Sequence, residues 1–512
     1  MSKTRQHCFD FGVPPALTLL LGLWGITRNN SMWRDEAATW EAAHRTIPEI
    51  WSLLGRIDMV HGLYYLFMHG VFTVFGDRLY CLRLPSLLAM ACATALLTLL
   101  GSRLVDASTG LATGLAFALL PAVQQYAQEG RPYALVTACE VLACWLLVTA
   151  VDASNWCHWA AYGTTVLVAA LLNWFSLLIL FAHAATIALA RTPRAVIARW
   201  ALSASCAVLG SLPLVMASQA QSGQVSWIPP VGLGTTLNLL MTVVMGALGA
   251  YLARTRLASG SVRVSLSALA LPLLALPPLL LLAVSLTRPL YQTRYVLFSQ
   301  IGLALLIGAA CHALASRFRR QPRRSIVLAA AVALVALLPI EVPLRSAGSR
   351  VDDVLSTADN VAAVRKPGDA VLYIPAARRD TALVSPGAFT GTRDLALIEN
   401  PRQSNTLQGV EGTPEYIRKA MLTARRIIVV TDDNTSPPAS ARDRTKEQVL
   451  RSHFIRRYET RERGRKIVVY VRRADDRAAT PTSRCPCFVR KGSTPTPPGV
   501  VPTEQSKSNR TQ

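Results

Sequence analysis

Long apolar runs alternate with short polar segments from residue 11 to residue 343. The runs fall at 11–27, 84–101, 110–121, 133–151, 158–172, 174–190, 200–217, 233–253, 266–286, 295–315 and 326–343. Several approach the roughly 20 residues that a helix needs to cross a bilayer. They predict an α-helical polytopic membrane domain over 1–345. The pattern then changes. Residues 351–365, 414–424 and 445–453 read as helices, and 369–374, 426–431 and 466–471 read as strands, so 346–475 is expected to form a small α/β domain. The Thr/Pro/Ser/Arg-rich stretch 476–512 is expected to be a disordered tail.

One apolar run is ambiguous. Residues 61–75 are short for a span, and His61, Tyr65 and His69 place one polar stripe along them at helical spacing. If 61–75 does not cross, Arg103, the Arg191/Arg194/Arg199 group, Arg254/Arg256/Arg263 and Arg317–Arg324 all fall on the cytoplasmic side, as the positive-inside rule requires. If it crosses, they all fall outside. The run therefore reads as an interfacial helix on the outer leaflet. About eleven spans follow, with Lys3 and Arg5 inside as part of an uncleaved signal anchor and the C-terminal domain outside. A plasma membrane of bacterial type fits this layout. Residues 28–83 form one large external loop.

Composition adds two exclusions. The net charge of +23 comes from arginines between apolar runs and in the tail, with no nucleic-acid motif among them. Half of the ten cysteines sit in apolar runs, and Cys485-Pro-Cys487 lacks the further His or Cys of a metal site.

The chemistry concentrates outside. Asp35 and Glu36 are adjacent carboxylates just after the first run, where a charge at membrane depth favours a functional reading; the alternative is that Asp35 caps a helix Glu36–Arg45. Thr46-Ile-Pro-Glu49 reads as a capping box for a helix 47–55. The same loop carries Asp58 and His61. Other external segments bring Glu129, Arg131, Trp227, Arg288 and Arg294.

The order of Trp33-Arg-Asp35-Glu36-Ala, His61-Gly-Leu-Tyr64-Tyr65-Leu, Arg83-Leu-Pro85-Ser, Gln128-Glu129-Gly-Arg131-Pro-Tyr133 and Arg294-Tyr295 resembles the bacterial branch of the protein-mannosyltransferase type of membrane glycosyltransferases, relatives of the aminoarabinose transferases. The resemblance covers roughly 10–345 and implies the GT-C fold. It implies transfer of a hexose, with mannose the leading choice, from a polyprenyl-phosphate carrier to an external protein, lipid or cell-wall glycan acceptor, with inversion. Asp35 matches the family's proposed base, with Glu36 as its neighbour; like charges so close are expected to push one pKa up. Arg131, Arg294 and Arg288 are the candidates for the phosphate, because arginine pairs bidentately with it. Asp58, His61, Glu129, Tyr133, Trp227 and Tyr295 are candidate contacts, with Glu129 alternatively pairing with Arg131. Val60-His61-Gly62 and Asn173-Trp174 depart from the family pattern, which leaves acceptor and any divalent metal open; no metal ligand is assigned. A lipid-linked sugar flippase and a non-catalytic wall-binding membrane protein are the other readings.

Overall fold

The computed structural model describes residues 3–153, 155–221, 223, 227–253, 263–318, 321–433 and 440–473. The expected tail 476–512, Cys485 and Cys487, and Arg254, Arg256, Arg319 and Arg320 lie outside the described residues.

All eleven apolar runs are helical. Seven helices are long and apolar enough to cross a bilayer alone: Leu79–Leu104, Tyr133–Ala153, Arg194–Ala220, Leu233–Leu252, Leu266–Ser285, Thr293–Arg317 and Pro322–Leu344. The other four runs give shorter apolar helices. One of these, Ala107–Leu119, bends by 63° into Pro121–Ala127. Proline at the break explains the bend, since it cannot donate to the preceding turn. Leu79–Leu104 packs against the first helix, Lys3–Leu23, and against Ala107–Leu119 and Tyr133–Ala153. Small residues permit this closeness: a Cβ on Gly110 would lie 2.4 Å from the Thr98 carbonyl oxygen.

Ion pairs gather at the two ends of the bundle, while Glu140 is buried within Tyr133–Ala153. At the end holding Arg103, ion pairs join Arg103 to Asp152 (3.1 Å) and Arg323 to Asp10 (3.1 Å), and His312 Nε2 lies 3.2 Å from Asp106 Oδ2. Arg83, at the opposite end of the Leu79–Leu104 helix, faces the loop helices. These are Arg34–Ala43, Ile47–Leu54 and Gly62–Phe75. Thr46 and Glu49 do form the expected capping box. In Gly62–Phe75 the polar stripe turns inward, contrary to a water-facing polar side: Tyr65 is buried and His69 Nδ1 lies 3.0 Å from the Ala43 carbonyl. Leu63, Phe67, Val74 and Phe75 point outward instead.

The C-terminal region contains strands β1 Ala370–Ile374, β2 Arg393–Asp394, β3 Leu397–Glu399, β4 Val410–Glu411, β5 Arg426–Asp432, β6 Phe454–Glu462 and β7 Arg465–Arg472. Five form one sheet in the order β2-β1-β5-β7-β6, parallel at β2-β1-β5 and antiparallel beyond. β3 and β4 pair separately. Helices Val354–Val364, Pro414–Thr423 and Ala441–His453 match three expected positions. β6 is an addition.

Candidate active site

Asp35 does not cap a helix. Its helix starts at Arg34, placing Asp35 in the first turn, where the dipole favours a carboxylate. Arg294, from the 3₁₀ segment Thr293–Ser299, donates from Nη1 to Asp35 Oδ2 at 2.9 Å. The Asp35 side chain keeps 23% exposure, so the carboxylate remains reachable. The Arg294 guanidinium lies 5.6–5.9 Å from the ring centres of Trp33, Tyr133, Trp227 and Tyr295. An aromatic enclosure of this kind holds a cation in place without neutralising it.

Arg131 lies in the connection between Pro121–Ala127 and Tyr133–Ala153 and is buried. Its Nη1 donates to the Asp35 carbonyl oxygen at 3.2 Å and Nη2 lies 2.7 Å from His61 Nε2. Because a guanidinium only donates, His61 must accept at Nε2 and carry its proton on Nδ1. Burial, with Arg131 and Arg294 acting in the same direction, pushes the His61 pKa well below its ordinary value. The ring is thus a neutral N–H donor.

Asp58 stands at a left-handed backbone position (φ 58°) and accepts from Tyr65 Oη at 2.8 Å. Burial raises its pKa, against the pull of Arg131.

Two expectations change. Glu36 is not a free partner of Asp35. It turns into the protein and receives Arg83 Nε at 2.8 Å and Nη2 at 2.7 Å, together with the Gly130 N–H at 3.0 Å. Burial opposes its charge, but the field and hydrogen bonds of Arg83 prevail and hold its pKa at about 2. The like-charge rise expected of the pair is absent at Glu36. Glu129 pairs not with Arg131 but with Arg350, at 2.8 Å. Burial still pushes the Glu129 pKa up, with Arg350 opposing.

A cavity of about 450 Å³ adjoins this cluster, lined in part by His61, Asn173, Trp174, Gln219, Arg288 and Tyr295. Phe175 stacks between Trp174 (4.1 Å) and Tyr295 (4.7 Å, 6° between planes). Tyr133 leans on Tyr295 at 6.2 Å. Arg288 is exposed and joins the cavity rather than the Asp35 cluster. The candidates Asp35, His61, Arg131, Tyr133, Trp227, Arg294 and Tyr295 therefore converge.

Arg83, Arg350 and Asn173 were not foreseen as site residues. For the two arginines one signal existed: each falls on the side that the sequence pattern reads as external, where the positive-inside rule disfavours it. Among the described residues no group of three His, Cys, Asp or Glu side chains gathers as a metal site.

Residues 63–218 match the family model of the dolichyl-phosphate-mannose-protein mannosyltransferases. No curated protein matches the chain in sequence. Among solved structures the chain is similar to ArnT from Cupriavidus metallidurans in the apo state, with 13% identity and a TM-score of 0.59 over 89% of this chain and 97% of that one. The same protein bound to undecaprenyl phosphate gives 12% identity and the same TM-score and coverage. The chain thus shares its fold with ArnT, and over residues 63–218 it is similar to the dolichyl-phosphate-mannose-protein mannosyltransferases.

Proposed function

We propose that the chain transfers a hexose, mannose first among the candidates, from polyprenyl phosphate to an acceptor on the external face of a bacterial plasma membrane. In this reading the arginine-rich helix ends Arg103, Arg191–Arg199 and Arg317–Arg323 are cytoplasmic, and the Asp35 cluster and C-terminal sheet are external.

The acceptor hydroxyl attacks the anomeric carbon and Asp35 takes its proton. The bond from that carbon to the phosphate oxygen breaks, and its electron pair leaves on polyprenyl phosphate. Arg294 and Arg131 stabilise the growing negative charge in a site poor in water. His61 donates from Nδ1. Direct displacement inverts the anomeric centre. The undecaprenyl phosphate bound by the similar ArnT supports this class of carrier.

One observation carries the reading. Arg131 Nε, Arg294 Nε and His61 Nδ1 are buried donors with no hydrogen-bond partner among the described residues. Buried donors left unpaired are costly, and phosphate and sugar oxygens are the acceptors that suit them.

The test is transfer from radiolabelled polyprenyl-phosphate mannose in membranes carrying wild type or Asp35→Asn at equal abundance. Wild-type transfer that falls roughly 10²-fold or more in the variant is expected. Transfer from a different hexose donor alone corrects the sugar, and full activity in Asp35→Asn overturns the base.

A further inference from the structure

The C-terminal sheet is bonded to the strand of chain that launches the Asp35 helix. The Val354 N–H donates to the Met32 carbonyl at 2.7 Å, and the Met32 N–H to Asp353 Oδ1 at 3.4 Å. The Arg34 N–H, in the first turn beside Asp35, donates to Asp352 Oδ1 at 3.1 Å. Asp352 is buried, and its other oxygen is held by Arg465 at the start of β7, through Nη2 at 2.9 Å and Nε at 3.2 Å.

Arg465 is itself fixed. It is fully buried and forks onto Asp380 at 2.6 and 2.7 Å, with Thr381 Oγ1 at 2.5 Å. The short helix Asp380–Val384 packs against Arg34–Ala43. Preceding Arg465, Gly464 takes a left-handed φ of +69° at the β6–β7 turn. A Cβ there would meet the Val351 carbonyl oxygen at 2.0 Å, so the turn presses directly on the 350–354 segment. On the other flank Arg350 lies 5.7 Å from the Trp33 ring, which also faces Arg294 at 5.9 Å.

We propose that Asp352, clamped by Arg465, is a positioning residue for the transfer reaction: it fixes the first turn of the Asp35 helix so that the carboxylate meets Arg294 and the acceptor in register. The sheet domain thereby acts on the chemical step rather than on donor capture. This rests on Asp35 as the base. A lone ion pair would only stabilise the domain; here the carboxylate's second oxygen ends on the backbone N–H next to the reacting group. Misplacement of a reacting group by about 1 Å costs roughly 10²-fold in rate.

The experiment measures kcat and donor KM in purified full-length protein. Asp352→Asn keeps the shape but removes the charge that Arg465 clamps. Its kcat is expected to fall about 10- to 100-fold with donor KM within about threefold of wild type. Glu411→Gln disturbs another buried carboxylate of the sheet region, one bonded to Lys446 and Arg379; it is expected to lower the melting temperature while keeping kcat. Should Asp352→Asn fail to fold, Arg465→Lys, which retains the charge and loses the fork, is read in its place and must also lower kcat without raising KM. Wild-type kcat in Asp352→Asn or in Arg465→Lys overturns the proposal, as does an equal kcat loss in Glu411→Gln. Full activity in Asp35→Asn would instead refute the base assignment on which it rests.

Discussion

The Glu36–Arg83 pair gives the sharpest stability prediction, because both members are buried, at 0% and 1% side-chain exposure. Replacing Glu36 by Gln removes the charge while keeping the shape. The pKa of Glu36 falls from an ordinary 4.5 to about 2, and about 1.4 kcal/mol per unit makes this roughly 3 kcal/mol in favour of the folded state. Breaking a buried pair by removing one partner costs about 3–5 kcal/mol, the same range. The sign follows from the depression: the contribution is complete above the ordinary carboxylate value and is lost as pH falls from about 4.5 towards 2. Glu36→Gln in detergent should therefore melt roughly 3–5 °C lower at neutral pH, and the gap to wild type should close in acid. Arg83→Met should be worse, since it also strips the Ile26 and Ser31 carbonyls of donors at 2.6 Å. The double variant should lose less than the two single losses summed. Transfer per folded molecule should stay within a few-fold of wild type. Unchanged melting with transfer abolished would refute this assignment and return Glu36 to the chemistry.

Other outcomes follow from the same geometry. Arg294→Lys keeps the charge but cannot serve Asp35 and the four surrounding rings together, so kcat should fall about 10²-fold at equal folded yield; wild-type turnover would remove Arg294 from the leaving-group role. Gly464→Ala places a Cβ against the Val351 carbonyl at a positive φ, and a melting temperature lowered by the equivalent of about 1–3 kcal/mol is expected. An environment-sensitive dye on Phe67→Cys, on the outward face of Gly62–Phe75, should emit in the blue and be quenched by nitroxide lipids. Water-like emission would contradict the interfacial placement.

The parts of the fold legible from the sequence are those that apolar periodicity writes directly. The eleven runs all became helices, and β1, β5 and β7 lie where Val- and Ile-rich stretches predicted them. β6 was illegible for a physical reason. It is an edge strand whose Arg456, Arg457 and Arg461 are exposed, so the alternation that marks a half-buried strand is missing. The convergence of Asp35, Arg131 and Arg294 was foreshadowed by motif order at one membrane face. The split between the two adjacent acids was not: only the distant Arg83, 47 positions from Glu36, determines which carboxylate is fixed and which stays reachable. Glu129 misled for the same reason, because its partner Arg350 arrives from beyond the last span rather than from the neighbouring Arg131.

The bond from the Arg34 N–H to Asp352 joins positions 318 residues apart, and this separation sets an order of birth. On the proposed topology, a chain made from its N-terminus exports Asp35 in its first external loop long before Arg294, Asp352 or Arg465 has been synthesised. Until the final hairpin is translocated, the helix carrying the acid lacks its last fastening, although most of the membrane bundle can already be inserted. A ribosome stalled before residue 350 would leave a lipid-embedded but chemically immature protein. If Asp352 positions the Asp35 helix as proposed, completion of the sheet is the maturation step, and the proposed transfer waits on it.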